Sequence, residues 1–230
     1  MWPGPYGNGG SRKAMLASLD QSLARMRLSY VDIFYSHRMD PETPLEETMG
    51  ALATAVQSGK AIYAGLSNYN GETLEKATAI LNELHVPFVI NQNRYSIFDR
   101  TIEKNGLKET ANRLGKGIIA FSPLAQGLLS GRYLHGIPQG SRIARGNSVR
   151  MTPQALTPAL MQGLEKLGAL AAAHGQTLAQ FALSWVLSAP GVTSVLVGAS
   201  SAAQLRENVA CLAAAPLSQE EREAAAALLG

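Results

Sequence analysis

A histidine ends a run of β-branched and aromatic residues, Tyr30-Val31-Asp32-Ile33-Phe34-Tyr35-Ser36-His37-Arg38. Val31–Tyr35 suits a buried parallel strand, and Asp40-Pro41 stops it. A titratable group where a parallel strand ends is where α/β folds place their chemistry. Further polar groups follow later apolar runs: Ser67 and Asn68, then Gln92, then Phe121 and Ser122, then Gly198 and Ser200. Neutral amides such as Asn68 and Gln92 offer both a donor and an acceptor to a carboxamide. Phe121 can stack on a flat ring. Gly198 and Ser200 open a helix, whose N–H groups and dipole suit a phosphate. Each group taken alone reads more readily as an ordinary turn residue. Four polar strand ends after His37 favour a ligand site.

The elements that must position these groups follow from hydrophobic periodicity. Strands are expected at Val31–Tyr35, Ala61–Leu66, Phe88–Asn91, Ile118–Phe121 and Val192–Val197. The first four begin 27 to 30 residues apart, the spacing of a repeated βα unit in a barrel or a doubly wound sheet. Met15, Leu16, Leu19, Leu23 and Met26 predict a helix to about Arg27, with Ser11 as its cap. Helices are also expected at Leu45–Ser58, Glu72–Leu84, Ile102–Leu114, Leu156–His174, Leu178–Leu187, Ala202–Leu212 and Gln219–Leu229. Thr177 and Gln180 form a capping box for Leu178–Leu187. The long Gly-, Arg- and Ser-rich connection from Ser122 to about Thr152 has the length of a functional or mobile loop. No internal domain boundary is evident, so 1–230 reads as one domain.

Composition narrows the function classes. Of 230 residues 46% are apolar and only 16% charged, which disfavours disorder. A net charge of +3 without a dense basic run argues against nucleic acid as a partner. Cys211 is the only cysteine, so no intrachain disulfide and no multi-cysteine metal site can form. That is compatible with a reducing, cytoplasmic setting. No uninterrupted apolar stretch is long enough to span a membrane. His85, His135 and His174 lack metal-ligand spacing, so no metal site is expected. Met1–Ser11 lacks a basic start and an apolar core, so it reads as a Gly/Pro-rich interior loop rather than a signal peptide.

Five segments taken together carry a resemblance. They are Ser-His-Arg at 36–38, Gly-Leu-Ser-Asn-Tyr at 65–69, Ile-Asn-Gln-Asn-Arg-Tyr-Ser at 90–96, Ala-Phe-Ser-Pro-Leu-Ala-Gln-Gly-Leu-Leu-Ser-Gly at 120–131 and Val-Gly-Ala-Ser at 197–200, followed by Gln204-Leu205-Arg206-Glu207-Asn208. The chain resembles the aldo-keto reductases from Met1 to about Glu220, within them the bacterial L-glyceraldehyde 3-phosphate reductase branch related to potassium-channel β subunits. The resemblance implies a (β/α)8 TIM barrel that binds NADPH across the C-terminal strand ends. It implies reduction of small aldehydes or ketones of the glyceraldehyde 3-phosphate or methylglyoxal kind. His37 would be the catalytic histidine that orients the substrate carbonyl. Ser67, Asn68 and Gln92 would hold the nicotinamide carboxamide, and Phe121 would stack on its ring. Ser122, Pro123, Leu124, Ala125 and Gln126, with Arg132 and Arg142, would line the pyrophosphate path. Gly198, Ser200, Gln204, Glu207 and Asn208 would hold the adenosine end. Relatives often carry a cation where this chain has Ser201, which leaves NAD open beside NADP; Arg206 or Arg142 would compensate.

The same resemblance implies an Asp, a Tyr and a Lys that complete the proton-donating set and that match no position here. Tyr6 falls in the opening loop, and Lys13 and Asp20 fall on the first helix as solvated groups. The expectation is therefore an incomplete barrel with about five of eight strands, lacking the first three βα units and the C-terminal tail. Open edges would make such a chain prone to aggregation, and alone it would be inactive. The alternative is a non-catalytic nucleotide- or partner-binding module like the channel β subunits. A third class, an aldolase or isomerase barrel, would need a carbonyl-binding lysine at a strand end, and none is found. The partner expected is a small aldehyde, with oligomerisation left open. Trp2 and Tyr6 are candidates for the substrate wall or for loop packing, while Trp185 and Cys211 read as core.

Overall fold

A computed structural model describes residues 9–134, 136–139, 141, 143, 144, 146 and 152–229. Trp2, Tyr6, His135 and Arg142 lie outside the described residues. Contacts divide the chain into two compact units, Met1–Asn93 with Ile102–Ile119, and Arg94–Thr101 with Ala120–Gly230.

The elements run α1 (Arg12–Met26), β1 (Val31–Ser36), α2 (Leu45–Gln57), β2 (Ala61–Ser67), α3 (Gly71–Glu83), β3 (Phe88–Arg94), α4 (Thr101–Lys104), α5 (Leu107–Arg113), β4 (Gly117–Phe121), α6 (Pro158–Ala173), α7 (Leu178–Leu187), β5 (Val192–Leu196), α8 (Ala202–Val209) and α9 (Gln219–Ala227). The five expected strands are therefore present, in an α/β fold. They form one sheet in the order β1-β2-β3-β4-β5, so β1 and β5 are its end strands and the sheet is not closed among the described residues. β1 pairs parallel with β2, and β2 with β3.

In the first unit, Leu19 and Leu23 of α1 bury against Ala55 of α2 and Ala61 of β2, with Val31 and Phe34 packed beside them. Ser11 accepts a hydrogen bond from the Ala14 N–H at 3.3 Å, as its capping role predicts. Asp20, expected at the surface, pairs with Lys60 at 2.7 Å on an exposed face. Ile62, Tyr63 and Val89 of the strands are exposed. Two expected spans need correction. Ile102–Leu114 is two helices, because Gly106 takes a left-handed φ of 75° that breaks the i→i−4 ladder. Ala202–Leu212 is α-helical only to Val209 and then tightens into a 3₁₀ turn over Ala210–Ala213.

In the second unit, Thr177 and Gln180 form the expected capping box. Trp185, 1% exposed, is core as expected. Its indole N–H donates to the Arg222 carbonyl at 2.8 Å, and Arg222 Nε donates to the Trp185 carbonyl at 3.0 Å. The Arg222 guanidinium also donates to the Tyr95 hydroxyl at 2.7 Å and lies 4.4 Å from the Trp185 ring centroid. Burying an arginine is tolerable only because its donors are matched. Cys211 is buried, and burial raises its thiol pKa, as a small core hydrophobe should behave. The connection after β4 is not structureless. It opens with a 3₁₀ segment, Ala125–Ser130, and buries Leu128, Tyr133 and Ile143 in a small cluster with Phe98, Leu156 and Leu160.

Candidate active site

In the first unit, the polar groups foreseen at strand ends are pinned by the backbone of neighbouring strands. His37 follows β1 directly, with its side chain exposed. Its carbonyl accepts a hydrogen bond from Asn68 Nδ2 at 2.9 Å. Asn68 lies just beyond β2 with a left-handed φ of 59°, a conformation asparagine tolerates better than most residues. Its N–H donates to the Gln92 carbonyl at 3.0 Å, and its Nδ2 also donates to Ser67 Oγ at 3.0 Å. Both amide protons of Asn68 are thus used within the protein, which leaves Oδ1 as the group to accept from a ligand. Ser67 is buried and sits opposite Gln92 in the β2–β3 register. His37, Ser67 and Asn68 therefore lie at the ends of β1 and β2, whereas Gln92, expected just past its strand, lies inside β3, which runs on to Arg94. Asn91 beside them is fully buried, and neither its Oδ1 nor its Nδ2 has a hydrogen-bond partner among the described residues.

In the second unit, two loops frame a cavity of about 500 Å³. Ser122, Pro123, Leu124, Gln126 and Arg132 line it from the loop after β4; Gly198, Ser200 and Gln204 line it from the loop after β5. Eight of the residues expected to hold the cofactor thus share one cavity. Ala125, Phe121, Glu207 and Asn208 are not among its lining residues. Sequence reasoning missed Gly127, Ser130, Leu196, Val197 and Ala199, which also line it. Their signal was adjacency to the motifs already singled out.

The backbone of the first loop is unusual. Ser122, Ala125 and Gln126 take left-handed φ values of 56°, 46° and 60°, and Gly127 takes 101°. Non-glycine residues held there are strained by roughly 1–2 kcal/mol each. The loop is closed by its own backbone: the Ala125 N–H donates to the Ser122 carbonyl at 3.0 Å, and the Gly127 and Leu129 N–H groups donate to the Leu124 carbonyl at 2.8 and 3.3 Å. Arg132 adds a cation to the lining.

The second loop is held by its own side chains. Gln204 Oε1 accepts from the Ser200 N–H at 2.8 Å and sits 3.1 Å from Ser200 Oγ. Ser201 Oγ accepts from the Gln204 N–H at 3.2 Å and caps α8. Ser201 is thus a helix cap. Glu207 is exposed, and its carbonyl accepts from Gln180 Nε2 at 3.1 Å. Asn208 is 2% exposed, and its Nδ2 has no partner among the described residues. Phe121, at the end of β4, is half-buried with the Arg94 guanidinium 5.7 Å from its ring centroid. That cation–π contact was not foreseen, although Arg94 ends β3 in the sequence. Among the described residues no group of three or more potential ligands could hold a metal ion, and no helix is long and apolar enough to cross a membrane.

The chain is similar to known proteins over almost its whole length. Residues 1–229 match the family model described as "Aldo/keto reductase family". A protein of Escherichia coli O157:H7 named L-glyceraldehyde 3-phosphate reductase is 56% identical over 223 residues, 96% of this chain and 64% of its own length. Its namesake from Escherichia coli strain K12 is 58% identical over 214 residues, 92% of this chain and 62% of its own. A rice protein named probable voltage-gated potassium channel subunit beta is 35% identical, covering 93% of this chain and 66% of its own. A crystal structure of a thermostable aldo-keto reductase in complex with the inhibitor epalrestat superposes with a TM-score of 0.71 at 31% identity, covering 95% of this chain and 67% of that one. The chain thus spans less than two thirds of the length of the two bacterial relatives. The strand-end serine, amides and left-handed loop belong to a sequence that follows one family model almost throughout, and the chain belongs to the aldo/keto reductase family.

Proposed function

We propose that this chain carries the dinucleotide-binding part of a reductase acting on small aldehydes of the glyceraldehyde 3-phosphate or methylglyoxal kind. The observation that carries the reading is the cavity lined by Ser122–Leu124, Gln126, Arg132, Gly198, Ser200 and Gln204. Its donor set suits a pyrophosphate: hydroxyls and an arginine, with no carboxylate among the described lining residues. Asn68 Oδ1 and the Gln92 amide would take the carboxamide, and Phe121 would offer an aromatic face to the nicotinamide. A nicotinamide cofactor supplies hydride when bound. The part of His37 would be to orient the carbonyl that receives it, from an exposed position at the end of β1. Proton donation is assigned to no tyrosine of this chain, so turnover by these 230 residues alone is not expected.

Discrimination between NADPH and NADH would be weak, because Ser201 brings no charge to a 2′-phosphate and its oxygen already accepts the Gln204 N–H. A second reading, a nucleotide-binding module without turnover, draws support from the 35% identity to proteins named as channel β subunits. Titration of the chain with NADPH, followed by cofactor fluorescence, tests the first reading. Saturable binding that Arg132→Ala weakens about tenfold or more, the worth of one charge-assisted contact, supports it. Absence of binding overturns it. Joining the chain to the proton-donating part of a relative's reductase separates the two readings: methylglyoxal-dependent NADPH oxidation supports the first, and binding without oxidation supports the second.

A further inference from the structure

The turn that carries His37 is clipped on both sides by hydrogen bonds that never touch the imidazole. Ser36 Oγ lies 3.0 Å from the Tyr69 hydroxyl and 3.4 Å from the Arg38 carbonyl. A carbonyl can only accept, so the Ser36 hydroxyl donates to Arg38 and the Tyr69 hydroxyl donates to Ser36. The residues before and after His37 are thereby joined through one oxygen. The carbonyl of His37 itself accepts from Asn68 Nδ2 at 2.9 Å.

Each anchor is itself buried. Tyr69 is 2% exposed and Ser36 is 3% exposed. The Tyr69 carbonyl accepts from the buried Asn93 Nδ2 at 3.3 Å. Burial raises the Tyr69 phenol pKa, so this hydroxyl keeps its proton through the neutral range and stays a donor. Beyond the turn, the Asp40 carboxylate accepts from the Gly10 N–H at 2.8 Å and from the Thr43 hydroxyl at 2.7 Å, which fixes the far side of the loop. The imidazole of His37 itself is exposed.

We infer that Tyr69 and Ser36 are positioning residues for His37: the Tyr69-to-Ser36-to-Arg38 hydroxyl chain holds the backbone of residues 36–38 so that the exposed imidazole points in one direction. This deepens the reductase reading, in which His37 orients the carbonyl, and rests on it for the use of that direction. A phenylalanine at 69 would fill the same space but leave Ser36 without its donor. An alanine at 36 would remove both bonds with the loss of a single oxygen. A threonine at 36 keeps the hydroxyl and suits a strand.

The test uses the whole chain with no cofactor, so its outcome is separate from that of the binding assay. Histidine labelled with ¹³C at Cε1 gives one resonance per imidazole, and His37→Gln assigns that of His37. Ser36→Ala and Tyr69→Phe are expected to shift or split the His37 resonance while those of His85 and His174 stay in place. Amide exchange of the 36–40 segment should speed up about tenfold, while α3 keeps its rate. Ser36→Thr should restore the original resonance. If Tyr69→Phe folds poorly, the Ser36 pair decides alone, since it barely alters the packing. An unmoved His37 resonance in Ser36→Ala overturns the inference. So does an equal disturbance at His85, or a Ser36→Thr chain that behaves like Ser36→Ala.

Discussion

The same substitution should act in opposite directions at two glycines of the first unit. Gly71 opens α3, directly after Ser67–Asn70, and its N–H donates to the Asn105 carbonyl at 3.0 Å. A Cβ added there would fall 2.5 Å from the Gly106 carbonyl carbon and 2.6 Å from its oxygen. Both neighbours are backbone, and Gly106 starts α5, so neither can turn aside as a flexible side chain would. Overpacking of this kind costs about 1–3 kcal/mol, against a helix-propensity gain of roughly 0.5–1 kcal/mol for alanine over glycine. Gly50 lies inside α2, where an added Cβ meets only Arg12 Nη1 at 3.7 Å. There the propensity gain stands unopposed. Gly71→Ala should therefore destabilise by about 1–2 kcal/mol and Gly50→Ala should stabilise by about 0.5–1 kcal/mol. With a urea slope of about 2 kcal/mol per molar, the two midpoints should differ by roughly 1 M. Far-UV circular dichroism is the proper probe, because Trp185 reports on the second unit. Gly71→Ala at or above the wild-type midpoint would refute the argument from the backbone contact. A loss at Gly50 as large as that at Gly71 would do the same.

Further outcomes can be checked alongside. Arg132→Ala should weaken NADPH binding about tenfold or more at low salt and less at high salt, as expected when a charge-assisted contact is screened. Ser201→Arg should favour NADPH over NADH by about tenfold, while losing about 1 kcal/mol of helix capping; equal affinities for the two cofactors would show that the 2′-phosphate lies elsewhere. The hydrogen bonds from Gly10, Thr43 and Glu42 hold the Asp40 carboxyl below its usual range. A depressed folded pKa contributes stability that is complete above the usual carboxylate value and is lost as pH falls through the lowered one. Stability measured from pH 6 downwards should therefore fall less steeply below about pH 4 in Asp40→Asn than in the wild type. Parallel acid profiles would contradict that role. Finally, the chain mixed with NADPH and methylglyoxal should show binding without cofactor oxidation. Steady aldehyde-dependent oxidation would disprove the assignment of proton donation outside its tyrosines.

What this sequence determined unaided was mostly local. Strands β1 to β4 announce themselves through short apolar runs at even spacing, and the Ser11 and Thr177 caps through a side chain within reach of its own helix start. Candidate site positions could be named because strand ends in a parallel sheet all emerge on one side, so position along the strand substitutes for knowledge of the third dimension. Boundaries that depend on one backbone angle were not legible. Gly106 splits an apparently continuous helix, and nothing in its neighbours foretells a positive φ. Left-handed glycine is common, but Ala125 and Gln126 adopt the same region without the freedom of glycine, and only packing of the whole loop can hold them there. Long-range polar pairing belongs wholly to the tertiary structure. Arg222 meets Tyr95 across 127 residues, and Tyr69 reaches Ser36 across 33. Hydrogen-bond partners far apart in the chain leave no periodic trace in it, because burial of the unpaired group penalises every arrangement except the one that brings them together.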